Sequence, residues 1–145
     1  WGQAQIVEAS HLIVFANITN FGDQEVDSYF DNLINTREIE MEAVQGYKDF
    51  VKNFVNTLPV DAKNIWTSKQ TYIALSNLLN AAAELKIDVT PMEGFEPQKY
   101  NEILGLDKLG LNASLVATIG YRHEDDGLQH LKKVRKSEKE LFLTL

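Results

Sequence analysis

Pro91-Met92-Glu93-Gly94-Phe95 divides the chain into two unlike parts. Ahead of it runs a long, almost uncharged stretch, Trp66 to Leu85, with helical periodicity. Behind it come a helix start at Glu96-Pro97 and an apolar strand pattern, Ala113 to Tyr121. Proline in the first helical turn costs no hydrogen bond, because an N–H there has no acceptor within the helix. The pentapeptide itself reads as a turn, in which glycine supplies backbone freedom and Glu93 faces water. The same residues allow a chemical reading. A glycine lets the backbone approach a planar ligand, and fixed N–H dipoles then favour negative charge developing on that ligand.

Working outward, the flanks give an α+β fold: a mostly antiparallel sheet packed by helices, in one domain over residues 1–145. Leu12-Ile13-Val14-Phe15-Ala16 is a continuous apolar run, the pattern of a strand buried on both faces. Asn20, Gly22 and Asp23 supply turn and cap chemistry for a helix whose apolar face is Val26, Tyr29, Phe30, Leu33 and Ile34. A second helix, from about Glu38, carries Val44, Tyr47, Val51, Phe54, Val55 and Leu58 until Pro59 ends it.

The third helix, Ile65 to Lys86 with Asp61 or Asn64 as cap, is apolar nearly all round. Such a helix must be covered on every side, and in a chain this short the cover is a partner subunit. Ile87 to Thr90 is an extended link, Gly105 ends the helix begun at Pro97, and Leu115 to Ile119 is the second clear strand. Asp125 to Lys136 is polar and loop-like. Glu140 to Leu145 reads as a terminal strand, predicted to add to the sheet of a homodimeric partner.

Composition narrows the functional classes. A chain of 145 residues, 44% hydrophobic, can bury a true core. Its net charge of −7 argues against nucleic acid as a partner, since phosphate binding needs clustered Lys and Arg. Zero cysteines exclude a disulfide scaffold, a thiolate nucleophile and a Cys-ligated metal, and fit a cytoplasmic setting. There is no apolar run long enough to span a membrane. His11, His123 and His130 have no metal-ligand spacing, so no metal is expected. Lys132-Lys133-Val134-Arg135-Lys136 is the only concentrated positive charge in an acidic chain. It suits either a solvated surface or a phosphate monoester, to which Lys offers a point charge and Arg a two-pronged donor.

In order along the chain, Lys69-Gln70-Thr71-Tyr72-Ile73-Ala74-Leu75, the Pro-Met-Glu-Gly-Phe turn, Ile119-Gly120-Tyr121-Arg122 and Lys133-Val134-Arg135 resemble the FMN-dependent nitroreductase family. A weaker match, Ala9 to Phe15, extends the likeness toward the start. The family's Arg- and Ser-rich N-terminal segment and its Pro-Ser-Ser turn would lie ahead of Trp1, so the chain reads as the family domain without that part.

The resemblance implies a dimeric oxidoreductase with a long interface helix, using FMN and either NADH or NADPH. Hydride passes to FMN and then to a nitroaromatic or quinone, the small-molecule acceptor. It also implies site residues. Pro91 and Met92 line the flavin edge, the Glu93-Gly94 backbone contacts it, Lys133 and Arg135 hold its phosphate, and Gln5 lies nearby. Phe50 and Phe54 fall on the helix that in relatives offers aromatics over the partner's flavin, although their spacing equally suits a core stripe. The Ser between the family's Lys and Arg is replaced here by Val134. A relative with other chemistry, such as dehalogenation or flavin breakdown, and a non-catalytic fragment remain open at this point.

Overall fold

The structure, a computed structural model, describes residues 2–145; Trp1 lies outside them. Three strands form one sheet in the order β1-β3-β2, with β1 His11–Ile18, β2 Asp88–Met92 and β3 Leu111–Gly120, both pairings antiparallel. The described residues also form six α-helical segments: α1 Gln5–Glu8, α2 Asp23–Arg37, α3 Gln45–Thr57, α4 Val60–Glu84, α5 Pro97–Leu104 and α6 Glu138–Leu141. The α+β expectation with an antiparallel sheet is met.

The central strand β3 carries the core, with Ala113, Leu115, Val116, Ala117 and Thr118 all buried. Leu115 and Ala117 face α4 and cluster with Leu75, and Phe15, Leu78, Leu79 and Val89 close round them. The helical hairpin of α2 and α3 has its own core of Val26, Phe30 and Val55, with Phe21, Val44 and Val51 packed against it. Phe21 stacks edge-on against Trp66 of α4, linking the hairpin to the rest. Between α2 and α3, Asp27 receives both Lys48 and Lys52 at 2.7 Å. The two ammonium groups hold its carboxyl below the usual range.

Several boundaries differ from the sequence reading, each for a local reason. Strand β1 lies at an edge and leaves Leu12 and Ile18 exposed, so it is not buried on both faces. Glu38 adopts a left-handed conformation that stops α2, and α3 begins only at Gln45. Helix α4 starts at Val60 rather than Ile65: Pro59 ends one helix and opens the next, and Asp61 sits in the first turn, where the helix dipole favours an anion. Asn64 is not the cap but accepts from the Asn20 N–H at 3.4 Å.

The link after α4 becomes a true strand that runs through Pro91 to Met92. An edge strand tolerates proline because one side of it has no partner to receive an N–H. The predicted terminal strand is overturned at its start. Ser137 and Glu140 form a reciprocal cap, Ser137 Oγ and N–H both reaching the Glu140 carboxylate, and this turns Glu138–Leu141 into helix. Residues 142–145 form no strand in this chain.

Helix α4 buries Thr67, Thr71, Leu75 and Ala82 against the sheet, a stripe at intervals of four and seven. Ile65, Trp66, Tyr72 and Ile73 remain exposed, so the all-round burial expected of this helix is not reached within the chain.

Beneath α4 runs a ladder of buried amides. Thr67 donates to the Ile18 carbonyl and accepts from Asn17 Nδ2 at 3.1 Å. Asn112 Nδ2 donates to Asn17 Oδ1, and Asn101 Nδ2 donates to Asn112 Oδ1 at 2.9 Å. Asn101 Oδ1 then accepts the backbone N–H of Ala113 at 2.8 Å. The ladder ties α4, β1, β3 and α5 together, and among the described residues no fully buried side-chain polar atom lacks a partner.

Candidate functional site

The segment Glu93–Glu96 is strung between two elements that are both anchored on β3. On one side Met92 pairs with Val116, and on the other Asn101 holds α5 to the Ala113 N–H. Period-two alternation turns Met92 inward, where it is buried, and leaves Pro91 exposed on the α4 side. Phe95 N–H bonds the Glu93 carbonyl at 2.9 Å, closing a tight turn about Gly94. Among the described residues no acceptor takes the N–H of Glu93 or of Gly94. Two consecutive donors are therefore left at the rim of a cleft of about 370 Å³, lined by Tyr72, Leu75, Pro91, Met92, Glu93 and Leu115.

The N-terminal segment closes onto this turn. Gln5, on the short helix α1, points its Nε2 at the Met92 sulfur at 3.6 Å, and Gln3 Nε2 donates to the Gly94 carbonyl at 3.2 Å. Gln5, Pro91, Met92, Glu93 and Gly94 thus lie together at this turn. A residue that sequence reasoning missed stands beside them. Tyr72, counted only among the apolar residues of its helix, donates its hydroxyl to Glu93 Oε1 at 2.5 Å. That bond to a carboxylate raises the phenol above its ordinary range. No motif marks a pair 21 residues apart; only the packing of α4 beside β2 does.

Lys133 and Arg135 are not gathered into this turn. Both are exposed, and Arg135 Nη1 donates to the neighbouring Val134 carbonyl at 2.8 Å. The positive charge of Lys133 reaches Asp88, at the far end of β2, where Arg122 grips the same carboxylate through Nε at 2.6 Å. Arg122 above all, and Lys133 more weakly, hold the Asp88 carboxyl below its usual range. Five residues of extended strand separate Asp88 from Glu93, about 17 Å.

Phe50 and Phe54 are 65% and 52% exposed, so they are not core stripe residues; Val51 and Val55 turn inward instead. Neither lines the Glu93 cleft within this chain. Among the described residues there is no cluster of His, Cys, Asp or Glu able to hold a metal, and no helix long and apolar enough to cross a membrane.

The donor set suits a planar, electron-accepting ring with a distant anion: backbone N–H groups at one end of a sheet edge, cationic side chains toward the other. Several known proteins are similar to this chain. The chain is 29% identical over 147 residues to the major NAD(P)H-flavin oxidoreductase of Aliivibrio fischeri, covering 100% of this chain and 67% of that protein. It is 35% identical over 151 residues to a provisionally named NAD(P)H nitroreductase of Staphylococcus epidermidis, covering 98% and 67%. The solved structure of a provisionally named NAD(P)H:FMN oxidoreductase from the same species superposes with a TM-score of 0.79 over 97% of this chain and 64% of that one, at 14% identity. The chain spans about two thirds of the length of the curated relatives it matches, and as little as 60% of some of them. The resemblance carried by the Pro-Met-Glu-Gly-Phe turn and its flanks is matched by the whole stretch 8–121, which fits the nitroreductase family, and the chain belongs to that family.

Proposed function

We propose that this chain forms the flavin site of an FMN-dependent NAD(P)H oxidoreductase acting on a small electron acceptor, a nitroaromatic or a quinone. The observation that carries the reading is the pair of N–H groups of Glu93 and Gly94, which have no acceptor among the described residues, at the rim of the Tyr72–Pro91 cleft. When bound, FMN supplies the chemistry, accepting a hydride from NADH or NADPH and passing it to the acceptor.

The chain's own residues bind and orient. The Glu93 and Gly94 N–H groups face the edge of the ring, where negative charge gathers on reduction, and being fixed in advance they need no reorganisation. Pro91 and Met92 form the apolar floor, and Gln5 holds the Met92 side of it. Lys133 and Arg135 neutralise the phosphate, on a segment whose exposure leaves it free to settle on a ligand. No protein nucleophile is required, because the cofactor carries the reaction and the protein orients it.

The working unit is a homodimer. Its support is the apolar outer face of α4, Ile65, Trp66, Tyr72 and Ile73, beside a cleft that one subunit leaves open. Phe50 and Phe54 are then the aromatics offered to the partner's site, where their exposure on α3 is an asset. The setting is the cytoplasm, where reduced nicotinamide is supplied.

The test is direct. Full-length protein purified as expressed, or titrated with FMN, shows a flavin absorbance band and is reduced by NADH or NADPH with a nitroaromatic or quinone as acceptor. Failure to bind FMN refutes the reading, and flavin binding without turnover of either acceptor class refutes the assigned reaction.

A further inference from the structure

We propose that Tyr72 is a positioning residue for the flavin edge: its hydroxyl fixes the Glu93 carboxylate to α4, keeping that anion off the neighbouring N–H groups. The inference rests on the flavin reading given above.

The geometry is specific. Tyr72 Oη lies 2.5 Å from Glu93 Oε1, and both residues line the same cleft. Glu93 has no cationic partner among the described residues, so this hydroxyl is the group that restrains it. A carboxylate on a turn has a strong alternative, because it can accept local backbone N–H groups. Glu25 does so in this chain, taking the Gly22 N–H at 2.8 Å. Released from Tyr72, Glu93 has the donors of its own turn within reach, and they are the donors the flavin needs. A free carboxylate also sets a negative charge beside a ring that gains electron density on reduction. Both effects weaken the reduced cofactor more than the oxidised one. The raised phenol of Tyr72 fits an O–H engaged with an anion.

Three variants of the full-length protein test this: Tyr72→Phe, Glu93→Gln and the two combined. Spectrophotometric titration of the FMN-free protein near pH 10 and above finds one tyrosine ionising late in the wild type. That tyrosine returns toward its ordinary range in Glu93→Gln. In Tyr72→Phe, FMN affinity falls about five- to tenfold, in line with the loss of one charge-assisted hydrogen bond. The reduced form loses about tenfold more affinity than the oxidised, a negative shift of about 30 mV in the two-electron potential. The double variant, with a neutral carboxamide at position 93, recovers the wild-type potential. A merely structural Tyr72 would not show that rescue. An unchanged potential in Tyr72→Phe, or no recovery in the double variant, overturns the proposal while the flavin reading stands. A wild-type protein that binds no FMN overturns both.

Discussion

Replacing Asn101 with Ala tests whether the turn at Glu93 is held from below. Asn101 is 3% exposed, and its amide does two things: Oδ1 accepts the Ala113 N–H at 2.8 Å, and Nδ2 donates to Asn112 Oδ1 at 2.9 Å. Alanine removes both. Ala113 is itself only 1% exposed, so its N–H is left in a place water does not readily enter. An orphaned buried donor costs about 1–3 kcal/mol, and the small cavity adds to it, giving about 2–4 kcal/mol in all. With a urea slope of about 2 kcal/mol per molar, the unfolding midpoint falls by about 1–2 M. The assay is urea denaturation followed by far-UV circular dichroism at fixed protein concentration. The same variant has a functional signature, because α5 forms one anchor of the 93–96 turn: FMN affinity falls in a protein that is still folded. A midpoint shift below about 0.3 M would mean that the Ala113 N–H finds another acceptor, and the ladder would lose its assigned role.

Four further outcomes follow from the same geometry. Gly94→Val places a branched Cβ at the turn where the ring must approach and abolishes FMN binding, while Glu93→Gln, which still accepts from Tyr72, keeps most of it; the opposite order in fluorescence titration would make the carboxylate the binding group. Lys133→Ala and Arg135→Ala each weaken FMN binding by about tenfold or more if they hold the phosphate, and unchanged affinity in both removes them from the site. Deleting Phe142 to Leu145 shifts sedimentation toward monomer or aggregate and releases flavin if the tail joins a partner; a truncated protein that stays dimeric and yellow shows the tail to be dispensable. Asp88 is held below its usual range by Arg122, so the stability it contributes is present above about pH 4 and fades as pH falls further through its folded value, whereas in Asp88→Asn that part of the acid dependence is gone from a pH series of thermal melts.

How much of this was legible in the sequence depended on whether the signal was local. Strand β3 and helix α5 could be read because their determinants sit within a few residues: an apolar run from Leu115, a proline at the first helical position, and a left-handed Gly105 at the end. The pentapeptide was legible as a special turn because glycine and proline carry backbone information by themselves. The Ser137–Glu140 cap was equally local and pointed to helix, yet the apolar residues after it suggested a strand. Exposure was the harder quantity. Phe54 shares its helical face with Val51 and Val55 in any wheel drawn from the sequence, but the core of the α2–α3 hairpin takes in the two valines and leaves Phe54 out. The amide ladder was invisible for a further reason. Asn17, Thr67, Asn101 and Asn112 are spread over the whole chain, and each looks like a surface or turn residue until the fold brings them to one buried line.

That ladder and the Tyr72–Glu93 contact divide the work of holding one short turn. Backbone pairing places β2 at the sheet edge, and Asn101 places the start of α5, so both ends of 93–96 are fixed to β3 by hydrogen bonds that water does not reach. The turn between them is only half-buried, however, and a glycine turn has several conformations of similar energy. Fixing its ends does not fix the direction of its N–H groups. The Phe95 N–H bond to the Glu93 carbonyl narrows the choice, Gln3 holds the Gly94 carbonyl from the N-terminal side, and Tyr72 holds the Glu93 side chain from α4. Each contact comes from a different part of the chain, and none of them uses the Glu93 or Gly94 N–H itself. Those two donors have no acceptor among the described residues, as the proposed flavin site requires of them. On the proposed reading the rigidity lies in the sheet, and the ring is met by two N–H groups that no described residue accepts.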